Sequence, residues 1–173
     1  MAEQPTFENL FRAAERSAVH LEMRDGYMTS DPAFVDWQAG RRFDPAVRWR
    51  SWLETVRKVT GRGVQVRRAR IVSEPLSAYI RFEYEVTDGL NVAAGEQVRW
   101  LPRRRASDLA LPGNDFWLFD DETVLFNHFS GDGEVPARDD EEVTVDPAVV
   151  KLCASAFEAV WERATPHEEY RPI

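Results

Sequence analysis

Two short apolar runs, FWLF at 116–119 and TVLF at 123–126, flank Asp120, Asp121 and Glu122. Side chains of a strand alternate between its faces. In the first run Phe116 and Leu118 take one side, and Trp117 and Phe119 take the other. Both sides are therefore apolar, which marks central strands covered on both faces. The acidic residues between the runs occupy the place of a tight turn. A chain built around such a hairpin needs helices to cover it, and the rest of the sequence supplies them.

The spacing of Phe7, Leu10, Phe11, Ala14, Ala18 and Leu21 predicts a first helix, with Thr6 as its cap. Asp31-Pro32, Asp44-Pro45 and Asp146-Pro147 each read as a helix start, an aspartate cap with proline in the first turn. Gly40 and Gly61 close the first two of these helices. The third buries Val149, Leu152, Cys153, Ala156, Phe157, Val160 and Trp161. In GVQVRRARIV the alternation predicts a strand with arginines at its middle and one face partly wet. LSAYIRFEYEV fits a helix or a strand. A cap at Ser73 or Ser77 favours the helix, in which Leu76, Tyr79, Ile80, Glu83 and Tyr84 stack in successive turns. EQVRWLP is a short strand ended by Pro102, and the acidic, glycine-rich segment 130–142 is a loop. The expected class is α/β, with α+β as the variant: a small mixed sheet with flanking helices.

At 173 residues the chain has the size of one domain. It divides into a helical part at 1–61, a mixed sheet with helices at 62–164 and an extended tail at 165–173. The N-terminus has no basic segment followed by an apolar run, so the cytoplasm is the default expectation, with no membrane association. A formal net charge of -8 disfavours direct nucleic-acid binding. No metal and no cofactor are expected. Cys153 is the one cysteine and lies on an apolar helix face, and Asp120, Asp121 and Glu122 have no further ligand at suitable spacing.

The blocks RIVSEPLSAYIRFEYEV, NVAAGEQVRWLPR, LPGNDFWLFDDETVLFNHF and VWERATPHEEYRPI resemble an uncharacterised actinobacterial family, a domain of unknown function. The resemblance spans nearly the whole chain. It implies an accessory role beside helix-turn-helix regulators. The order strand, helix, strand, hairpin is also similar to one half of the phospholipase D-like fold, some degenerate forms of which are sensor domains. Active enzymes of that superfamily carry a histidine, a lysine two residues on, and a later aspartate. Here His20 is followed by Glu22, His128 by Ser130 and His167 by Glu169. The resemblance thus implies the fold without the phosphodiesterase chemistry.

Three functional readings stand side by side. The leading one is a non-catalytic regulatory or protein-interaction domain, suggested by the absence of a complete catalytic set, the acidic charge, and the supply of six Trp and ten Phe. Its partner would be a protein, a helix-turn-helix regulator among the options, or a second copy of the chain. Trp117, His167, Glu168 and Tyr170 are the contact candidates. The second reading is a hydrolase or phosphoryl-transfer enzyme. It uses His128 with acids from Asp120, Asp121 or Glu83, and an anion site built from Arg67, Arg68, Arg70, Arg81 and Arg99. The third is a small-ligand sensor.

Overall fold

The computed structural model describes residues 5–137 and 140–173. Residues 1–4 of the N-terminus, and Arg138 and Asp139 of the expected acidic loop, lie outside them. A seven-stranded sheet runs through the centre. In chain order its strands are β1 (Ser17–Glu22), β2 (Gln65–Val72), β3 (Gln97–Pro102), β4 (Phe116–Phe119), β5 (Thr123–Asn127), β6 (Glu141–Thr144) and β7 (Thr165–Pro166). In space the order is β6-β5-β4-β1-β2-β3-β7. β1, β2 and β3 are parallel neighbours, whereas β4, β5 and β6 form an antiparallel meander joined to β1. β1 is thus the strand at which parallel pairing gives way to antiparallel pairing.

The helices are α1 (Phe7–Ala13), α2 (Pro32–Gln38), α3 (Pro45–Arg48), α4 (Arg50–Thr60), α5 (Ala78–Leu90) and α6 (Pro147–Arg163). α6 covers one face of the sheet. Its Cys153, Phe157 and Val160 pack on Val19, Leu21, Ala69, Ile71, Phe116 and Leu118. The other face carries two separate apolar clusters. α1 and α4 pack on Ala18, Val66, Trp117 and Phe119, while α2, α5 and Tyr170 pack on Val72, Val98 and Trp100. Both phases of β4 are buried, as its sequence requires. The three Asp-Pro starts all act as expected. Asp31, Asp44 and Asp146 accept the N–H of Ala33, Ala46 and Ala148. Among the described residues, no helix is long and apolar enough to cross a membrane.

Three expectations need correction. The first helix ends at Ala13, and His20 lies on a strand instead. The six residues of β1 alternate as strictly as a strand should, with Val19 and Leu21 towards α6 and Ala18, His20 and Glu22 towards the other layer. The ambiguous stretch, by contrast, is the helix that its serine favours, with Ser77 as the cap accepting from the Ile80 N–H at 3.1 Å. The arginine strand has no wet face: Arg68 and Arg70 are buried under α5. The segment read as an acidic loop also contributes β6, whose pairing with β5 extends the sheet.

Candidate functional site

The two apolar clusters on the α5 side leave a gap between them, and the gap is polar. Glu22 on β1 faces Arg68 and Arg70 on β2, because parallel pairing sets residues of equal parity on the same side. Arg68 Nη1 and Arg70 Nε both donate to the Glu22 carboxylate. Arg68 Nε also donates to Glu96 at 2.6 Å, and Glu96 accepts from Asn91 Nδ2 at 2.6 Å. Arg70 Nη1 donates to the Thr87 hydroxyl at 2.8 Å. Trp117 and Trp100 lie beneath the two guanidinium groups at 5.3 and 4.9 Å. Burial alone would raise the pKa of Glu22, but Arg70 and Arg68 outweigh it and hold the carboxyl well below its usual range.

This network forms the floor of a cleft of about 280 Å³. His20 and Glu22 open into it from β1, Tyr79 and Glu83 from α5, and Asp115 and Tyr27 from the loops beside them. His20 Nδ1 stands 2.8 Å from the Phe116 carbonyl oxygen. A carbonyl only accepts, so Nδ1 carries a proton. Nε2 then faces Glu22 at 3.3 Å, and the ring stacks on Trp117 at 4.3 Å. Asp115 accepts from the Tyr27 hydroxyl and from the Met23 N–H. Burial raises both of these groups, the Asp115 carboxyl against the pull of its Tyr27 bond and the Tyr27 phenol well above its usual value.

Glu83 behaves differently from Glu22. Its side chain is only 14% exposed, and Arg70 is 3.5 Å away, too far for a good hydrogen bond. Among the described residues its Oε2 is buried with no hydrogen-bond partner. Burial raises its pKa to about 7, with Arg70 opposing and Glu22 reinforcing the rise. The two carboxylates around Arg70 are therefore pushed apart, one held ionised and one near neutrality.

Of the residues singled out from sequence, Glu83 and His128 both line this cleft. His128 sits at its rim beyond β5, with Nε2 3.2 Å from Glu142. Asp120 and Asp121 do not join them. Both adopt positive φ, 54° and 57°, in the turn between β4 and β5, where Glu122 N–H bonds back to the Phe119 carbonyl. That is the backbone of a type I′ turn. The Asp120 carboxylate accepts the N–H groups of Glu15, Arg16 and Ser17 at 2.9, 2.7 and 2.8 Å, tying the turn to the start of β1. Burial opposes its ionisation, yet these three donors lower its pKa. The Asp120→Asn variant keeps a residue tolerant of positive φ but loses one charged acceptor. It should cost about 1 kcal/mol in urea denaturation and leave the cleft unchanged.

The five arginines do not converge. Arg67 pairs with Glu158 at 2.7 Å, and Arg99 stacks 4.3 Å over Trp161, both on the α6 face. Arg68 and Arg70 lie on the opposite face, neutralised by glutamates, and Arg81 is exposed on α5. The expected contact residues are also interior, except for Glu168. Trp117 forms part of the cleft. Trp100 donates to His167 Nδ1 at 2.9 Å and stacks on Tyr170, whose hydroxyl donates to Glu74 at 2.7 Å. The tail is thus a strap across the sheet edge.

Sequence reading missed His20, Glu22, Tyr27, Tyr79 and Asp115 as site residues. The available signal was the period-two alternation of SAVHLE, with its glutamate matching the two same-phase arginines of RRAR. Among the described residues, no group of three or more histidine, cysteine, aspartate or glutamate side chains is placed to hold a metal ion.

Three solved structures align with most of the chain. Nuc of Salmonella typhimurium, a phospholipase D family member, is 12% identical at a TM-score of 0.49, with 95% of this chain and 88% of that one covered. NucT from Helicobacter pylori is 12% identical at 0.49, with 92% and 87% covered. The archaeal chromatin protein TrmBL2 is 14% identical at 0.47, with 91% of this chain but 47% of that one covered. At these scores the α/β assignment rests on the sheet order and its flanking helices, not on the likeness. No curated protein sequence matches the chain. The sequence from residue 5 to residue 172 matches the family described as Domain of unknown function (DUF6879), and the chain belongs to that family.

Proposed function

We propose that this chain is a non-catalytic regulatory domain that senses a small molecule in the cleft between β1, β4 and α5. One observation carries the reading: a concave site beside the strand where the sheet changes direction, walled by polar side chains that include a buried Glu83 oxygen left without a hydrogen-bond partner among the described residues. Open α/β sheets bind ligands at such positions. The interaction reading survives in altered form. Docking through exposed aromatics loses its support, because the large side chains exposed among the described residues are aliphatic and scattered. A helix-turn-helix regulator is then the proposed recipient of the signal, with the net charge of -8 keeping this domain off the nucleic acid.

Thermal shift against a library of small metabolites tests the proposal. A true ligand present at 100 times its Kd should add about 2.7 kcal/mol of stability. In a chain of this size that raises Tm by roughly 5–10 °C. The Trp117→Phe variant should weaken the shift. If no compound moves Tm, the sensing role is lost.

The hydrolase reading keeps one specific support, the pair Glu22 and Glu83 with separated pKa values beside His20. Product formation from the library compound that binds, abolished in Glu83→Gln, would favour it over sensing.

A further inference from the structure

We infer that the ligand of this cleft is a small organic cation bearing N–H donors, of the alkylammonium or alkylguanidinium class. The inference rests on the sensing reading and gives its ligand a chemistry.

Charge is the first ground. Glu22, Glu83, Asp115, Asp140 and Glu141 all line the cleft, and among the described residues no lysine or arginine does. Arg68 and Arg70, behind the wall, are committed to Glu22, Glu96 and Thr87, and Arg24 lies over the Phe129 ring. The positive charge of Arg68 and Arg70 is thereby spent mainly on Glu22 and Glu96, with Arg70 only 3.5 Å from Glu83, while Asp115, Asp140 and Glu141 have no ion-pair partner among the described residues. An anion such as phosphate would enter against this field.

Hydrogen bonding is the second and independent ground. Glu83 Oε2 is a buried acceptor without a hydrogen-bond donor among the described residues, Arg70 Nε standing off at 3.5 Å. Tyr79 stands one helical turn earlier on the same face of α5, is only 8% exposed, and lines the same cavity. Its hydroxyl makes no hydrogen bond to any described residue. The Glu83 oxygen, buried and unpaired, is costly to leave so, and a bound donor relieves that cost, while the Tyr79 hydroxyl, not sealed off in this way, offers a second acceptor in the same cavity. Both groups are reached by one ligand, since residues four apart on a helix are neighbours. The ligand they call for donates protons and carries positive charge.

The walls are the third ground. The rings of Tyr27 and Tyr79 pack 5.9 Å apart, and Phe129 closes edge-on against Tyr27 at 5.2 Å. Arg24 already lies 5.2 Å above Phe129, so the chain itself places a guanidinium on this aromatic group. Aromatic faces favour cations in such enclosures. A volume of about 280 Å³ accommodates a short-chain amine or guanidine.

Isothermal titration calorimetry of the full chain tests the class with named probes: n-butylammonium, methylguanidinium, tetramethylammonium, acetate and inorganic phosphate. The expected result is saturable binding of butylammonium or methylguanidinium. Tetramethylammonium, with charge but no N–H, should bind more weakly. Glu83→Gln should lower the affinity of the bound cation roughly tenfold or more, because a charge-assisted bond is lost. Tyr79→Phe keeps the ring and should lower it a few-fold. Circular dichroism of both variants checks that they fold. Binding of phosphate or acetate in preference to the cations overturns the inference, as does cation binding unaffected by both substitutions. If the probes all fail while a neutral compound raises Tm in the metabolite screen, the cation class falls and the sensing reading stands. If neither experiment yields a ligand, both fall.

Discussion

Glu22→Ala should destabilise the fold by about 3–5 kcal/mol, the loss expected when one partner of a buried ion pair is removed. The reason lies in how few acceptors serve the two arginines. Arg68 and Arg70 are each buried, and both donate to the one Glu22 carboxylate. Without it Arg68 keeps Glu96, but Arg70 keeps only the Thr87 hydroxyl and a glutamate 3.5 Å away. A guanidinium cannot shed its proton to escape burial, as a lysine can. The protein's remaining recourse is Glu83. With Glu22 gone, one source of its raised pKa disappears and Arg70 becomes free to hold it as an anion. Ionisation of Glu83 should therefore move towards the usual carboxylate range in the variant, visible in its side-chain carboxyl NMR resonance. Urea denaturation measures the stability loss. A triple replacement, Glu22→Leu with Arg68→Met and Arg70→Met, should recover most of it, because matched apolar groups remove the desolvation cost. A loss below about 1 kcal/mol for Glu22→Ala would mean that water reaches the arginines and that the floor of the cleft is not dry.

The contrast between what was legible in the sequence and what was not follows the range of each signal. The hairpin around Asp120, the three Asp-Pro helix starts and the arginine strand are local patterns, read within a few residues, and each forms as expected. β1 is hidden in the sequence because Phe7, Phe11, Ala14, Ala18 and Leu21 suit a helical period over the whole stretch. What breaks that helix is distant: Asp120 captures the N–H groups of Glu15, Arg16 and Ser17, 103 to 105 residues away. The site suffered the same limit. Glu22, Arg68, Arg70, Glu83 and Asp115 meet only because β1 and β2 pair in parallel and α5 crosses over them. Burial of an arginine is not written in its neighbours, and RRAR on a strand suggested a wet face until the matching glutamates came into place. Glu83 was singled out for its chemistry, and its environment follows from tertiary packing. His128 was singled out for its position near a hairpin, and it lies at the rim beside Glu142.

Raising the pH should withdraw stability through Glu83. Its pKa in the folded protein is about 7, above the ordinary carboxyl value of 4.5, because burial favours the neutral form. The folded state thus holds a proton that the unfolded chain releases. Its stabilising contribution is complete below about pH 4.5 and is lost as the pH rises through 7. The withdrawal amounts to on the order of 3 kcal/mol across that window. Glu83→Gln carries no proton to lose, so its stability should match the parent chain near pH 4.5 and exceed it above pH 7. The difference between the two curves isolates this residue from two groups of opposite sign. Glu22, with its lowered pKa, supports the fold above 4.5 and fails in acid. His167, lowered by burial against the pull of Asp88, supports the fold while neutral and weakens it as the pH falls. His167 contributes equally to the parent and the variant and cancels in the difference, while Glu22, though coupled to Glu83, is held ionised over the same window by Arg68 and Arg70 in both chains. Parallel curves between pH 4.5 and 8 would show that Glu83 ionises at its ordinary value, and that Arg70 or water satisfies the oxygen left without a partner. A rising difference would mean that the cleft holds a proton at neutral pH, which a bound ammonium or guanidinium would have to displace.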